Sequence, residues 1–383
     1  MSILLAMLTC AAAHAADLVW QPPVTVARGH GERGPWEQNN SRFDYVDDPA
    51  VALAADGDAL VAYVDERSKD VFLRRFAPNG APRFPSAVNV SHTPASFSWL
   101  PKLRTAGNKV YVLWQEILFG GGSQGGDMLF ARSDDGGTSF SPAFNLTESA
   151  SGKGKGRINK SIWHNGSYDL VRTSDGVLYA TWTEYEGQLW FARSDDDGIH
   201  FNPAGRVTPS GAKPARAPSL AAGPGATVYL AWTNGDEEGA DIHVARSDDA
   251  GRHFGPAVRV APGPTYSDAP KIAVDAAGHL HLVYAESDGG PFGRYRILYT
   301  RSLDGGRTFE PVRNISRPLP ERVTSAGFPS IAIDGRGHVA ILFECFEASD
   351  AHPRGLGLIR SEDGGSTSVR PCGCRAAPTR TAA

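Results

Sequence analysis

The pattern Ser-x-Asp-x-Gly-x-x-aromatic appears first as SDDGGTSF at residues 133–140. It returns as SDDDGIHF, SDDAGRHF, SLDGGRTF and, without its aromatic, SEDGGSTS. The copies begin at Ser133, Ser194, Ser247, Ser302 and Ser361, with gaps of 61, 53, 55 and 59 residues. A steady period of this length restricts a chain to a repeat architecture. Each copy follows an apolar run ending in Arg-Ser: MLFARS, LWFARS, IHVARS, ILYTRS and LGLIRS. The first four lead into an aromatic-x-Pro segment such as FSPAFNLT. Upstream lie two alternating apolar runs around a glycine turn, as in PSLAAGPGATVYLAWT, which reads as a hairpin. Each unit is therefore four short antiparallel strands, a to d.

A sixth unit precedes the first copy. PAVALAADGDALVAYVDE supplies a and b, VFLRRF supplies c, and a degenerate box, APNGAPRF, starts 56 residues before Ser133. The chain is expected to be all-β: a six-bladed β-propeller of four-stranded antiparallel blades, over residues 16–370. The last box has no evident d strand after it, and residues 371–383 read as a tail. VWQPPVTVA near the N-terminus fits the d pattern with Trp20 as its aromatic. Residues 17–27 are thus expected to complete the last blade and close the ring.

Composition narrows the function classes. A net charge of -4 over 383 residues gives neither a nucleic-acid footprint nor a polybasic membrane patch. Ile3 opens an apolar stretch that leads to Ala13-His14-Ala15. This predicts a signal peptide over residues 1–15, although its start carries no Lys or Arg. The mature protein is expected to be secreted or periplasmic, monomeric, and not inserted in a membrane. Cys10 leaves with the signal, and Cys345 is expected to pair with Cys372 or Cys374. Cys-Gly-Cys without a His pair is not a zinc motif, and no metal or cofactor is expected.

The repeated box at blade spacing resembles the Asp box (BNR repeat) of the sialidase (neuraminidase) superfamily. The resemblance covers nearly all of the mature chain. It implies that the boxes sit in the c–d turns, on the face opposite the active site. Local chemistry agrees: Asp135, Asp196, Asp249, Asp304 and Asp363 suit backbone N–H groups in tight turns, so they read as structural. The top face then holds the b–c loops and the d-to-a connections.

Strand b ends in acids in several blades: Asp65 and Glu66, Glu116, Glu184, Glu286 and Glu344. Paired carboxylates at the channel mouth suit glycosidic cleavage. Asp48, Glu116, Glu184 and Glu286 are the candidate catalytic residues. A pair about 5 Å apart implies retention, and one about 6.5–9.5 Å apart implies inversion. Asp47, Asp65, Arg67, Arg216, Asp268 and Arg296 are candidate substrate-binding residues. Two long top connections add Trp36, Lys160 and His164, for stacking and anion contacts. The resemblance also implies an Arg triad, an Asp acid/base and a Tyr–Glu pair. Its first Arg matches Asp47, and only Arg216 keeps an Arg among the equivalent positions Trp99, Arg216, Asp268 and Gly327. The expected function is therefore a sialidase-like glycoside hydrolase, or a related glycan-active enzyme, acting on a glycan or glycoconjugate. The alternative is a non-catalytic propeller that binds glycan or protein through the same face.

Overall fold

A computed structural model describes residues 22–29, 46–93, 96–120, 123–147, 167–184, 187–260, 262–317, 319, 321–347, 353, 355–367 and 369–376. The side chains of residues 117–125 and 369–376 are not described. The described chain forms six sheets of four strands, each in the order a-b-c-d. All pairings are antiparallel, as in blade one, where Val46–Leu53 pairs with Ala59–Asp65, then Asp70–Phe76, then Val88–Asn89. The six-bladed, all-β expectation holds.

Apolar clusters fill the five interfaces between consecutive blades. Leu60, Ala62, Val64, Val71 and Leu73 of blade one meet Leu103, Val110, Val112 and Trp114 of blade two, all buried. Equivalent clusters join blades two to three, three to four, four to five and five to six.

The box turns are built as local chemistry predicts. Ser133 Oγ donates to Asp135 Oδ1 at 2.7 Å and accepts the Gly137 N–H at 2.9 Å. Asp135 Oδ1 also accepts the N–H groups of Thr138 and Ser139 at 3.0 and 2.9 Å. Burial alone would raise the Asp135 carboxyl, but these hydrogen bonds outweigh it and hold the pKa at about 2. The same Ser-to-Asp and Gly-to-Ser bonds recur at Asp196, Asp249, Asp304 and Asp363.

The boxes also join neighbouring blades. Gly137 has φ +91°, and a Cβ there would collide with Leu73 of the preceding blade. Phe201 stands edge-on to Phe130 with centroids 5.1 Å apart, and Phe254 does the same to Phe191 at 5.0 Å. The arginine that ends strand c reaches forward to the next box. Arg75 donates to the Gly136 carbonyl at 3.2 Å, Arg132 to Asp197 at 3.1 Å, Arg193 to Ala250 at 3.0 Å and Arg246 to Gly305 at 2.9 Å. Arg301 makes the same bond to Gly364. The Arg of the repeated Arg-Ser is thus an inter-blade tie.

The closure expected from the sequence is corrected. Blade six takes its d strand from the C-terminal side, Val369–Ala376, which pairs with Gly355–Ser361. This strand runs past residue 370, so the blade includes residues read above as a tail. The described N-terminal residues 22–29 form no strand. Cys345 is buried and disulfide-bonded, while the side chains of Cys372 and Cys374 lie outside the described set. Between blades six and one, the described residues form no apolar cluster. Arg360, the blade-six counterpart of the tying arginines, lies 3.9 Å from Glu362 and donates to no blade-one carbonyl among the described residues.

Candidate active site

Strand a enters the sheet through the same kink in five blades. The residue before its proline has positive φ: Asp48 at 48°, Leu100 at 50°, Ala217 at 46°, Ala269 at 53° and Phe328 at 50°. The a–b register slips at each of these points. A left-handed conformation costs a residue with a side chain about 1–2 kcal/mol. Proline, lacking an N–H, suits the unpaired position of such a bulge. The kink recurs in blade after blade, so it is architecture, and it fixes the two residues before each proline at the top of strand a. The sequence shows its mark as DDP, WLP, RAP, DAP and GFP.

In blade one those two residues are carboxylic acids. Burial raises the half-buried Asp47 to about 8, and the charges of Asp48 and Glu66 and a hydrogen bond with Glu66 add to the rise. Burial and the two neighbouring acids thus favour the protonated form of Asp47. Asp47 Oδ1 is buried with no hydrogen-bond partner among the described residues. Burial also raises Asp48, but only to about 6. The Leu100 N–H at 3.3 Å, the Lys102 charge and a bond from Trp99 pull it back.

Blade two supplies the facing wall. Burial lowers Lys102 to about 8, with repulsion from Lys271 of blade five adding to it. Attraction to Asp169 and Asp48 opposes that fall. The Lys102 ammonium lies 5.6 Å from the centroid of the buried Tyr168 ring. The Tyr168 hydroxyl faces the carbonyls of Trp99, at 2.8 Å, and Leu100, and accepts the Gln115 N–H at 3.2 Å. Tyr168 of blade three therefore clamps the blade-two kink, which in turn places Leu100 N–H on Asp48.

The other candidates are placed differently. Glu116 is 1% exposed and accepts hydrogen bonds from Ser98 Oγ and Trp114 Nε1, both at 2.8 Å, and from Ser96. That is a scaffold carboxylate with no open face. Glu286 is paired across its hairpin with Arg296 at 2.5 Å and accepts Thr265 Oγ1 at 3.0 Å. Arg296 also holds Asp288 at 2.6 Å. Glu184 is half-buried where the b–c turn of blade three begins, its backbone bonded to Gln188 at 2.8 Å. Asp65 accepts the Arg67 N–H at 3.0 Å, so both belong to the b–c turn of blade one.

Arg216 donates to the Tyr266 hydroxyl at 2.6 Å and the Gly235 carbonyl at 3.2 Å. Asp268 accepts Thr233 Oγ1 at 2.9 Å and the next N–H at 2.8 Å. Arg216 and Arg296 are thus each engaged locally. Trp36, Lys160 and His164 lie outside the described residues. No three metal-ligating side chains converge among the described residues.

The structure therefore brings Asp47 and Asp48 together and keeps Glu116 and Glu286 elsewhere. Glu66, Trp99, Lys102 and Tyr168 join the site without having been assigned to it. For Trp99 and Lys102 the sequence signal was positional: WLPK stands at the offset that DDPA holds in the preceding blade.

No family model and no curated protein sequence matches the chain. Solved structures do. A protein of unknown function from Dyadobacter fermentans is similar over 82% of this chain and 94% of its own, with TM-score 0.58 and 14% identity. An ulvan lyase of polysaccharide lyase family PL25, solved bound to -[GlcA(1-4)Rha3S]-, is similar over 85% of this chain and 83% of its own, with TM-score 0.57 and 12% identity. At these identities the likeness is one of fold.

Proposed function

We propose that the chain is an exported glycan-active enzyme, related to the sialidase superfamily, that cleaves a glycosidic linkage at the top of the channel. Asp47 is the general acid and Asp48 the ionised partner. The observation that carries this reading is the pair of adjacent carboxyls that the blade-one kink holds beside the Leu100 N–H and Lys102, where burial raises Asp47 to about 8 and Asp48 to about 6. Neighbouring titratable groups pushed apart by their surroundings mark acid and base roles. At pH 7 Asp47 gives its proton to the leaving oxygen as the C–O bond breaks. Asp48 stabilises the positive charge developing at the anomeric carbon, and takes the proton of the water that attacks it. Lys102, which faces Asp48, is assigned here to an anionic group of the sugar.

Protonation also changes what Asp47 means at the position of the missing triad Arg. A neutral carboxyl carries no charge to repel an anionic substrate, and its proton stays for the leaving oxygen. Arg216 and Arg296 are spent on Tyr266, Glu286 and Asp288. Neither of these two candidate arginines is thus free for a sialate carboxylate, so the reading names a glycan without committing to a sialoside. The similar fold of a lyase solved with a uronate-containing sugar supports that class.

The test is turnover on a panel of chromogenic glycosides, sialosides and uronate-containing polysaccharides. Asp47→Asn and Asp48→Asn are each expected to lower kcat by about 10²–10⁴-fold. Glu286→Gln should stay within about threefold of wild type. Unchanged turnover in both aspartate variants sinks the assignment. Binding of a glycan without turnover by the wild type selects the non-catalytic propeller.

A further inference from the structure

In blades one to five the outermost strand is two residues long, and its first residue always faces strand c in the same register. Val88 pairs with Leu73, Phe144 with Phe130, Val258 with Val244 and Arg313 with Tyr299. From this place a side chain can cover the seam to the next blade's box. Phe144 stacks on Phe201, with centroids 6.3 Å apart and planes at 14°. Arg313 donates to the Ser366 carbonyl at 2.7 Å and to that of Gly365. In blade three the same place, opposite Phe191, is Gly205. Its φ is not positive, and a Cβ on it would meet nothing within 4 Å. Neither backbone nor packing asks for a glycine there.

The missing side chain leaves a hole. The seam between blades five and six, which Arg313 covers, keeps a cavity of about 20 Å³. The seam between blades three and four keeps one of about 470 Å³. Ligand sites commonly span roughly 300–1,000 Å³. The apolar lining is Phe191, Val207 and Phe254, the two rings standing edge-on. The charged lining is basic. Arg193 is neutralised by Asp195, and His253 bonds Asp249 at 2.7 Å. Arg206 and Arg252 are exposed, and each donates to a backbone carbonyl, that of Pro209 and that of Asp249, both at 3.0 Å. Neither forms an ion pair among the described residues, so two uncompensated cations stand beside an apolar floor.

We propose that this seam is a second binding site, for one anionic sugar unit of a glycan. The C–H face of a sugar ring packs on the apolar floor, and its carboxylate or sulfate takes the guanidinium forks of Arg206 and Arg252. An inorganic anion would leave the floor bare. The ligand class rests on the glycan reading above; the cavity and its charge do not. Strand d is the outer edge of the blade and the box marks the face away from Asp47, so the seam lies clear of the channel. A polymer held there by one unit offers its other units to the top face at a raised effective concentration.

Titration calorimetry on the chain starting at Ala16 tests the proposal. All proteins carry Asp47→Asn, so that turnover does not enter. The probes are an oligouronate, a sulfated oligosaccharide and an uncharged oligosaccharide of equal length. At least one charged probe is expected to bind tenfold or more tighter than the uncharged one, and the one that does so identifies the anion. Gly205→Phe, which gives blade three the residue that Phe144 is in blade two, is expected to weaken that binding tenfold or more. Arg206→Ala with Arg252→Ala is expected to do the same, and decides the matter if the glycine variant does not fold. Unchanged affinity in these variants, or no binding of any probe, overturns the proposal. An acidic peptide that binds at least as tightly as the glycans makes the occupant a protein and also overturns it. Glycan binding that Gly205→Phe weakens, in a chain whose Asp47 form turns over no glycoside, supports this site and overturns the enzyme reading alone.

Discussion

Replacing Asp47 with Asn should make this protein more stable and less active at once. Its carboxyl is raised from 3.8 to about 8 in the fold. A carboxyl whose folded pKa lies above its unfolded value favours the fold when protonated and opposes it as the pH rises. The penalty is absent below pH 3.8, grows through the range between, and is complete above about 8. At about 1.36 kcal/mol per unit, the ceiling is about 2 kcal/mol at pH 5, about 4 at pH 7 and about 6 above pH 8. Solvent reaching the half-buried carboxyl lowers all three figures together. Asparagine keeps the shape and carries no charge, so it lifts the penalty. The assay is thermal melting of wild type and Asp47→Asn at pH 5, 7 and 9. At about 2 °C per kcal/mol, the variant should gain up to about 8 °C at pH 7, and less at pH 5. A gain that does not depend on pH, or a loss, would show that Asp47 titrates as an ordinary surface acid. The acid assignment would then fall with it.

Turnover should follow a bell, rising through about 6 as Asp48 ionises and falling through about 8 as Asp47 loses its proton; kcat/KM measured across pH 4–10 should lose the alkaline limb in Asp47→Asn. Gly137→Ala combines a strained φ with a collision against Leu73, so it should destabilise by about 3 kcal/mol in urea melts. Gly107→Ala, with positive φ and open space, should cost about 1 kcal/mol. Arg193→Ala strands the Ala250 carbonyl and breaks a tie between blades three and four, so it should cost about 1–3 kcal/mol by the same measurement.

Blade number, strand order and box geometry were legible because they repeat. A turn that must satisfy the same N–H groups in every blade leaves the same Ser, Asp and Gly each time. The d strand of blade six was not legible. Outer strands elsewhere are as short as Val88–Asn89 and Gly205–Arg206, so they carry little pattern to match. VRPCGCRA has neither the aromatic nor the alternation of its counterparts. The cysteines held a better clue, since the expected bridge from Cys345 to Cys372 or Cys374 would draw that end of the chain onto blade six.

Of the proposed site, part was legible. Asp48 was read from its place at the top of strand a, but strand-end acids such as Glu116 looked equivalent to it. What separates them is burial among hydroxyl and indole donors, which depends on residues far apart in sequence. The kink before each proline was written in the sequence as x-Pro. Its left-handed backbone, which brings Leu100 N–H to Asp48, is a tertiary fact.

Among the described residues, apolar clusters pack five of the interfaces between the six blades and none packs that between blades six and one, so these residues are coupled, energetically, as a line rather than a circle. In a linear array each unit is held by its neighbours, and the two end units by one neighbour fewer. Opening should therefore begin at blades one and six and travel inward, reaching blades three and four last. Asp47 and Asp48 belong to an end unit. Whatever secures that end also keeps their carboxyls dry, so the proton on Asp47 and the mechanical integrity of the chain rise and fall together.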